Sequence, residues 1–218
     1  MRASEDAYRR RSVWGVLVVA LLIGVYLVQH GLGTGGPPQP AHAYAAVFDP
    51  VHEAAARQLP AAPDPLPSSR PVAIRIPAIE VAARLTPVST DKEGWVEAPP
   101  PERRNLAGWL DTSPTPGEQG TSVIDGHVDN ATGPAVFYSL GTLQPGQHID
   151  IARKDGSTAV FTVYGIEAVR KDTFPAARVY GEKGKPELRL ITCGGDYTKE
   201  GGYEGNVVVF ARLTEVRR

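Results

Sequence analysis

Hydrophobic residues fall along the chain in three regimes, and each predicts a different kind of element. From Val13 to Val28 they run without a charge. At about 1.5 Å per helical residue, this run and its neutral flank to about Gly33 can cross a hydrocarbon layer of roughly 30 Å, so a transmembrane anchor is expected over 13–33. Arg2, Arg9, Arg10 and Arg11 precede the run, and the next arginine is Arg57. That asymmetry puts residues 1–12 in the cytoplasm, anchors the chain in the cytoplasmic membrane and places everything after Gly33 outside it. Ala41-His42-Ala43 has the small-x-small form of a signal-peptide cleavage site, but it lies too far beyond the apolar run to serve it.

Over 34–69 the pattern is lost. Gly33-Thr34-Gly35-Gly36-Pro37-Pro38-Gln39-Pro40 and Ala61-Ala62-Pro63-Asp64-Pro65-Leu66-Pro67 are too poor in large apolar residues to fold alone, and the region reads as a Pro/Ala/Gly-rich linker. Tyr44 to Phe48 and Val51 to Arg57 are better helix formers than their neighbours. A short helix and a disordered tether are both compatible with them.

From Arg70 to the C-terminus, 70–218, short apolar runs alternate with turn signals. The runs are Val72 to Ile76, Ser122 to Asp125, His148 to Arg153, Thr158 to Val169, Glu187 to Thr192 and Asn206 to Leu213. Pro116-Gly117, Pro145-Gly146, Asp155-Gly156 and Gly194-Gly195 separate them. This predicts a mainly β domain, a compact sheet or closed barrel of about seven or eight strands. One or two helical turns are expected around Ala135 to Leu143 and Phe174 to Tyr180. There is no internal repeat, phosphate loop or dinucleotide fingerprint.

Composition narrows the function. Lys plus Arg is 23 against Asp plus Glu at 24, a net charge of −1, which gives no broad attraction to nucleic acid. With 20 prolines and 23 glycines the chain is no helical bundle. The lone cysteine, Cys193, excludes a disulfide framework, a multi-cysteine zinc site and a CxxC redox centre.

Cys193 ends the run Leu188 to Thr192 and is followed at once by Gly194-Gly195, where a strand stops and the backbone turns freely. A free cysteine is more commonly a buried apolar residue. Outside the cytoplasm, however, an unpaired thiol is a liability, which favours a functional role as nucleophile. Such a nucleophile needs a partner for its proton, and histidine suits that near neutral pH. His127 follows the run Thr121 to Gly126 with a glycine beside it. His30, His42 and His52 precede the domain, and His148 opens a strand after a Pro-Gly turn. With ordinary pKa values of about 8.5 and 6.5, only ~1% of a non-interacting pair would be thiolate with imidazolium.

Taken together and in order, Ile74-Arg75-Ile76-Pro77, Gly126-His127-Val128-Asp129 and Leu190-Ile191-Thr192-Cys193, behind an N-terminal anchor, resemble the sortases. Gly133-Pro134-Ala135-Val136-Phe137-Tyr138 and Thr192-Cys193-Gly194-Gly195 resemble the class F group of actinobacteria. The resemblance covers about Arg70 to Leu213. It implies a sortase β-barrel and a cysteine transpeptidase acting on secreted proteins that carry a C-terminal sorting signal similar to Leu-Pro-x-Thr-Gly. Cys193 would form the acyl-enzyme, His127 would be the acid/base, and a peptidoglycan precursor amine would resolve the intermediate, with no cofactor and no metal. The competing reading is a membrane-tethered, non-catalytic module that binds a peptide or a wall component. Simple peptidase activity, with water in place of the amine, is a further alternative.

One element of the resemblance is missing. Sortases place an arginine at the start of the last strand, where Tyr203-Glu204-Gly205-Asn206-Val207 offers Glu204 or Asn206, and counting back from Ala211 favours Asn206. If the strand ending at Cys193 pairs antiparallel with the strand starting near Asn206, Arg212 lies roughly 17 to 20 Å away and is out of reach. Lys199, Arg104, Arg170 and the Asn206 amide remain as candidate donors. Asp125 and Asp129 flank His127, and either one orients its ring or both cap turns. Trp109 and Tyr138 are candidates for a peptide groove or for packing. Glu182 and Glu200 show no calcium-ligand spacing.

Overall fold

The computed structural model describes residues 21–22, 36–40, 50–181 and 184–218. Of the expected anchor only Leu21 and Leu22 are among these, both helical, and among the described residues no helix is long and apolar enough to cross a membrane. Segment 1–12, expected in the cytoplasm, and the helix former Tyr44 to Phe48 lie outside the described residues. Pro37–Arg218 forms one compact unit.

That unit is the expected β-barrel. Eight strands close in the order β1-β2-β3-β4-β9-β10-β8-β7. They are β1 (Pro71–Ile76), β2 (Val81–Val88), β3 (Leu106–Leu110), β4 (Gly120–Asp125), β7 (His148–Arg153), β8 (Thr158–Arg170), β9 (Pro186–Thr198) and β10 (Gly202–Arg217). β5 (Asp129–Asn130) and β6 (Gly133–Pro134) make a separate two-stranded ribbon. β2 with β3 and β4 with β9 run parallel, and the other barrel neighbours are antiparallel. The helices are short: α1 (Pro50–Gln58), α2 (Ala176–Tyr180) and single 3-10 turns at Pro77–Ile79 and Leu140–Thr142. The helical turn expected around Ala135 to Leu143 is thus confined to its last third, because Ala135 and Phe137 bond back to Val128 and His127 instead.

Period-two alternation divides each long strand between two apolar clusters. Ile124, Leu188, Leu190, Val207, Val209 and Ala211 point inward with Ile74, Ile151, Phe161 and Trp109, and fill the barrel. Their neighbours Val123, Ile191, Val208 and Phe210 point outward and pack with Tyr164, Val169 and Val179 of α2. Each fully buried side chain of this kind contributes roughly 1.5 to 3 kcal/mol. Trp109 therefore belongs to the barrel core and not to a groove. The outer cluster also holds Arg189, which is 0% exposed. Its Nη1 donates to Glu187 Oε2 (2.9 Å), to which the Tyr164 hydroxyl also donates (2.8 Å), and its guanidinium stacks 4.7 Å from the Phe210 ring centroid.

Part of the region read as linker lies against this barrel. α1 rests on β8, where a Cβ on Gly165 would come within 2.7 Å of the His52 ring, and His52 Nδ1 sits 3.1 Å from Glu167 Oε1. Leu66 N donates to Gly117 O (2.8 Å), and Arg153 donates to Pro67 O and to Pro116 O. Arg212 Nη2 is spent on the carbonyls of Leu59 and Pro60. Proline carbonyls lose no partner to the missing proline N–H, so a proline-rich stretch remains a good acceptor for buried arginines.

Candidate functional site

The site forms where β4 ends alongside β9, which itself runs on to Thr198, so the strand stop expected after Cys193 is not found and Gly194-Gly195 lie within the strand, held by its pairing with β10. β4 and β9 run parallel with Asp125 opposite Ile191, so the residues that follow β4 emerge beside Thr192 and Cys193. Gly126 continues the contact: its N–H donates to Ile191 O (3.1 Å) and its carbonyl accepts from Thr192 Oγ1 (2.7 Å). Only glycine fits there, since a Cβ would stand 2.6 Å from Phe137 Cδ2 and 2.7 Å from Val136 Cγ1. His127 is the next residue. Sequence proximity to glycine thus has a physical reason at His127, and the backbone that carries His127 leaves β4 beside Thr192 and Cys193.

His127 is half-buried, and its Nε2 lies 2.6 Å from Pro99 O. A carbonyl can only accept, so this contact places the neutral ring's proton on Nε2 and leaves Nδ1 as the basic atom. The ring's polar partner is therefore a loop carbonyl, neither Asp125 nor Asp129. Asp129 instead accepts from the Tyr203 hydroxyl (2.5 Å), which ties the β5–β6 ribbon to the start of β10. Arg104 donates both Nε and Nη2 to Pro134 O in the same ribbon. Two open clefts flank the His127 loop. One of about 540 Å³ is lined by Glu80, Arg104 and Tyr138, the other of about 650 Å³ by Val88, Glu97 and Pro99 to Pro101.

Cys193 is half-buried on the outward face of β9 and stands directly opposite Asn206 of β10. The register expected from the sequence is thus found, and Asn206 occupies the place facing the thiol. Burial pushes the Cys193 thiol up; the charge of Lys171 opposes this, and Asp125 and Asp129 add to it. Glu204, the other residue at the start of the strand, is 3.8 Å from Arg170 Nη1. Lys199 lies beyond Thr198 in the exposed β9–β10 turn, as does Glu200, and Glu182 is outside the described residues. Among the described residues no three His, Cys, Asp or Glu side chains cluster as metal ligands would.

Three participants carry no sequence signal. Pro99 is one of several prolines in a loop, and Lys171 is a surface lysine by pattern. Gln39, within the linker, accepts from Gly195 N (3.0 Å), two residues beyond Cys193. Trp95, Phe174 and Tyr180 add an aromatic wall, with centroids 5.5 Å apart for the first pair and 5.6 Å for the second. Tyr180 is pushed up to about 12 by burial and by the nearby Asp125 charge.

Asp125 itself is the strongest electrostatic anomaly. Desolvation raises it from 3.8 to about 7, against the pull of Lys171. A carboxyl with a raised folded-state pKa keeps a proton that the unfolded chain has already released. Its penalty is therefore absent below about pH 4, grows as pH rises and is complete above about pH 7. Asp125→Asn is expected to be more stable than the parent at pH 8, by at most about 4 kcal/mol, and equally stable at pH 4. Urea midpoints at the two pH values check this.

A family model described as the Sortase domain matches residues 74–214. Among solved structures the chain is similar to sortase A from Corynebacterium diphtheriae, a lid mutant, at 21% identity and a TM-score of 0.52, covering 70% of this chain and 74% of that one. It is similar to sortase C1 from Streptococcus agalactiae at 23% identity and a TM-score of 0.51, with coverages of 66% and 67%. For the SrtA sortase from Actinomyces oris the values are 19%, 0.51, 73% and 88%. No curated protein matches the chain.

Proposed function

The chain belongs to the sortase family, and from that membership we propose that it is a cysteine transpeptidase which cleaves a Leu-Pro-x-Thr-Gly-like sorting signal between Thr and Gly. The observation that carries this reading is the placing of Gly126-His127, just past the end of β4, beside Thr192-Cys193 of the neighbouring parallel strand β9, fixed by the bonds of Gly126. Cys193 Sγ attacks the threonine carbonyl carbon, and the Thr–Gly C–N bond breaks. His127 protonates the leaving glycine nitrogen. An amine of a peptidoglycan precursor then gives its proton to His127, attacks the thioester and displaces Sγ. No step draws on a cofactor or a metal.

The charge-free run Val13 to Val28, behind four arginines, supports a single-pass anchor with the barrel outside the cytoplasmic membrane, where secreted proteins and wall precursors meet. Gly133 to Tyr138 and Thr192 to Gly195 support the class F group within the family. The non-catalytic binding module takes its support from one feature, the pairing of Asn206 opposite Cys193 at the position where an arginine is expected.

The test uses the full chain in detergent with a Leu-Pro-x-Thr-Gly peptide and triglycine, with products read by mass spectrometry. Cleavage at Thr-Gly with triglycine joined to the threonine carboxyl supports the transpeptidase. Cleavage with water alone in place of the amine marks a peptidase. The absence of any thioester adduct or cleavage across a panel of signals leaves the binding module.

A further inference from the structure

The transpeptidase reading leaves a charge unaccounted for. A thiolate and then an oxyanion form at Cys193, and a fixed positive group facing both is worth much more there than in water. Asn206 is neutral, so the cation has to come from another element.

The register across three strands shows where it can come from. Cys193 of β9 faces Asn206 of β10, and Asn206 faces Val169 of β8. Directly paired residues share a face, here the outward one on which Val169 and Ile191 lie. Lys171 follows Val169 by two residues, which by period-two alternation returns it to this face. Its N–H donates to Glu204 O (3.0 Å), so the pairing with β10 continues past the end of β8. With strands about 4.8 Å apart and about 3.3 Å per residue, the Lys171 and Cys193 Cα atoms are roughly 12 Å apart. A lysine side chain of about 6 Å and the cysteine's own Cβ and Sγ leave a gap about the size of a peptide carbonyl group.

The neighbouring arginines are committed, and Lys199 lies in the exposed β9–β10 turn, six residues beyond Cys193. Arg170 grips Asp172 through Nε and Nη2, with Glu204 beside it. Arg178 is paired with Glu167, Arg189 with Glu187, and Arg104 with Pro134 O. Among the described residues, Lys171 is the cation whose charge acts on both Cys193 and Asp125, and in each it favours the ionised form.

We infer, on the basis of the transpeptidase reading, that Lys171 is a catalytic residue of this active site: its ammonium group faces Cys193 across β10, holds the thiolate and then donates to the oxyanion of the tetrahedral intermediate. The strand next to the last one thus supplies the charge that the last strand lacks. In the reaction the carbonyl π electrons move to oxygen as the S–C bond forms, Lys171 holds that oxygen without giving up its proton, and the pair returns as the C–N bond breaks.

The test is the pH profile of Cys193 alkylation by iodoacetamide, a neutral reagent that needs no peptide substrate. It is measured on the full chain and on Lys171→Met and Lys171→Arg. The titratable groups acting on the thiol are Asp125 from β4, Asp129 from β5, Tyr203 from β10 and Lys171, with His127 just past the end of β4, and only Lys171 is changed. Lys171 is exposed and pairs through its backbone, so both variants keep the fold. Lys171→Met is expected to move the profile upward by about one pH unit and to slow acyl-enzyme formation at least 30-fold. Lys171→Arg restores the profile and most of the rate. A Lys171→Met profile that coincides with the parent's overturns the inference whether or not any peptide is cleaved. A parent that alkylates normally but never acylates overturns the transpeptidase reading, while the profile still judges the charge.

Discussion

Cys193→Ala is expected to lose all measurable Thr-Gly cleavage, a fall of at least about 10⁴-fold, with a melting temperature within about two degrees of the parent. The size of the loss follows from the chemistry, because without Sγ no covalent intermediate forms and the chain has no other thiol. The small cost in stability follows from the site. Cys193 is half-buried on the outward face, and the barrel interior next to it is filled by Leu190 and Val207 instead. Cys193→Ser is expected to be equally inactive, since its hydroxyl ionises far above the range in which the surrounding charges can act. Intact mass after incubation with peptide reads the loss directly: the parent gains the mass of the acyl fragment and neither variant does.

His127→Ala is expected to reduce transpeptidation about 10³-fold, within the range for removal of a positioned acid/base. The contact of Nε2 with Pro99 O makes the prediction more specific. That nitrogen is held by an acceptor, so proton transfer falls to Nδ1, and the loop carrying Pro99 sets the ring's direction. Imidazole or 4-methylimidazole added to His127→Ala should recover part of the rate, whereas added imidazole should leave Cys193→Ala silent. If the ring were only a packing residue, His127→Gln would retain most of the activity. It is expected to retain almost none.

The strands that carry the site were the legible ones. The runs ending at Ile76, Asp125, Arg153, Val169, Thr192 and Leu213 all lie in strands, because each is continuous and bounded by glycine or proline. β2 and β3 were not legible. Arg84 and Pro87 break the apolar pattern of β2, β3 has only five residues, and the two are joined as a parallel pair by the proline-rich loop that contains Pro99 to Pro101. Parallel neighbours leave no hairpin signal in a sequence. The same limit explains the site. Cys193 and His127 stood out because each sits beside glycine at the end of an apolar run. Lys171 did not, because its relation to Cys193 exists only through the pairing of β8, β10 and β9. Pro99 gives the ring a backbone oxygen, which is the same in every residue type.

The division of β9 between two apolar clusters makes the proposed nucleophile sensitive to parity. Deleting one residue from the run Leu188 to Thr192 while the strand keeps its pairing would turn the thiol into the barrel and leave the next residue facing Asn206. Deleting two would shorten the strand but return the thiol to the outside. In this family member the proposed active site is therefore protected by a counting rule as much as by packing. Point substitutions inside the barrel change how firmly the wall stands, whereas an insertion or deletion of odd length changes which side of the wall the chemistry is on.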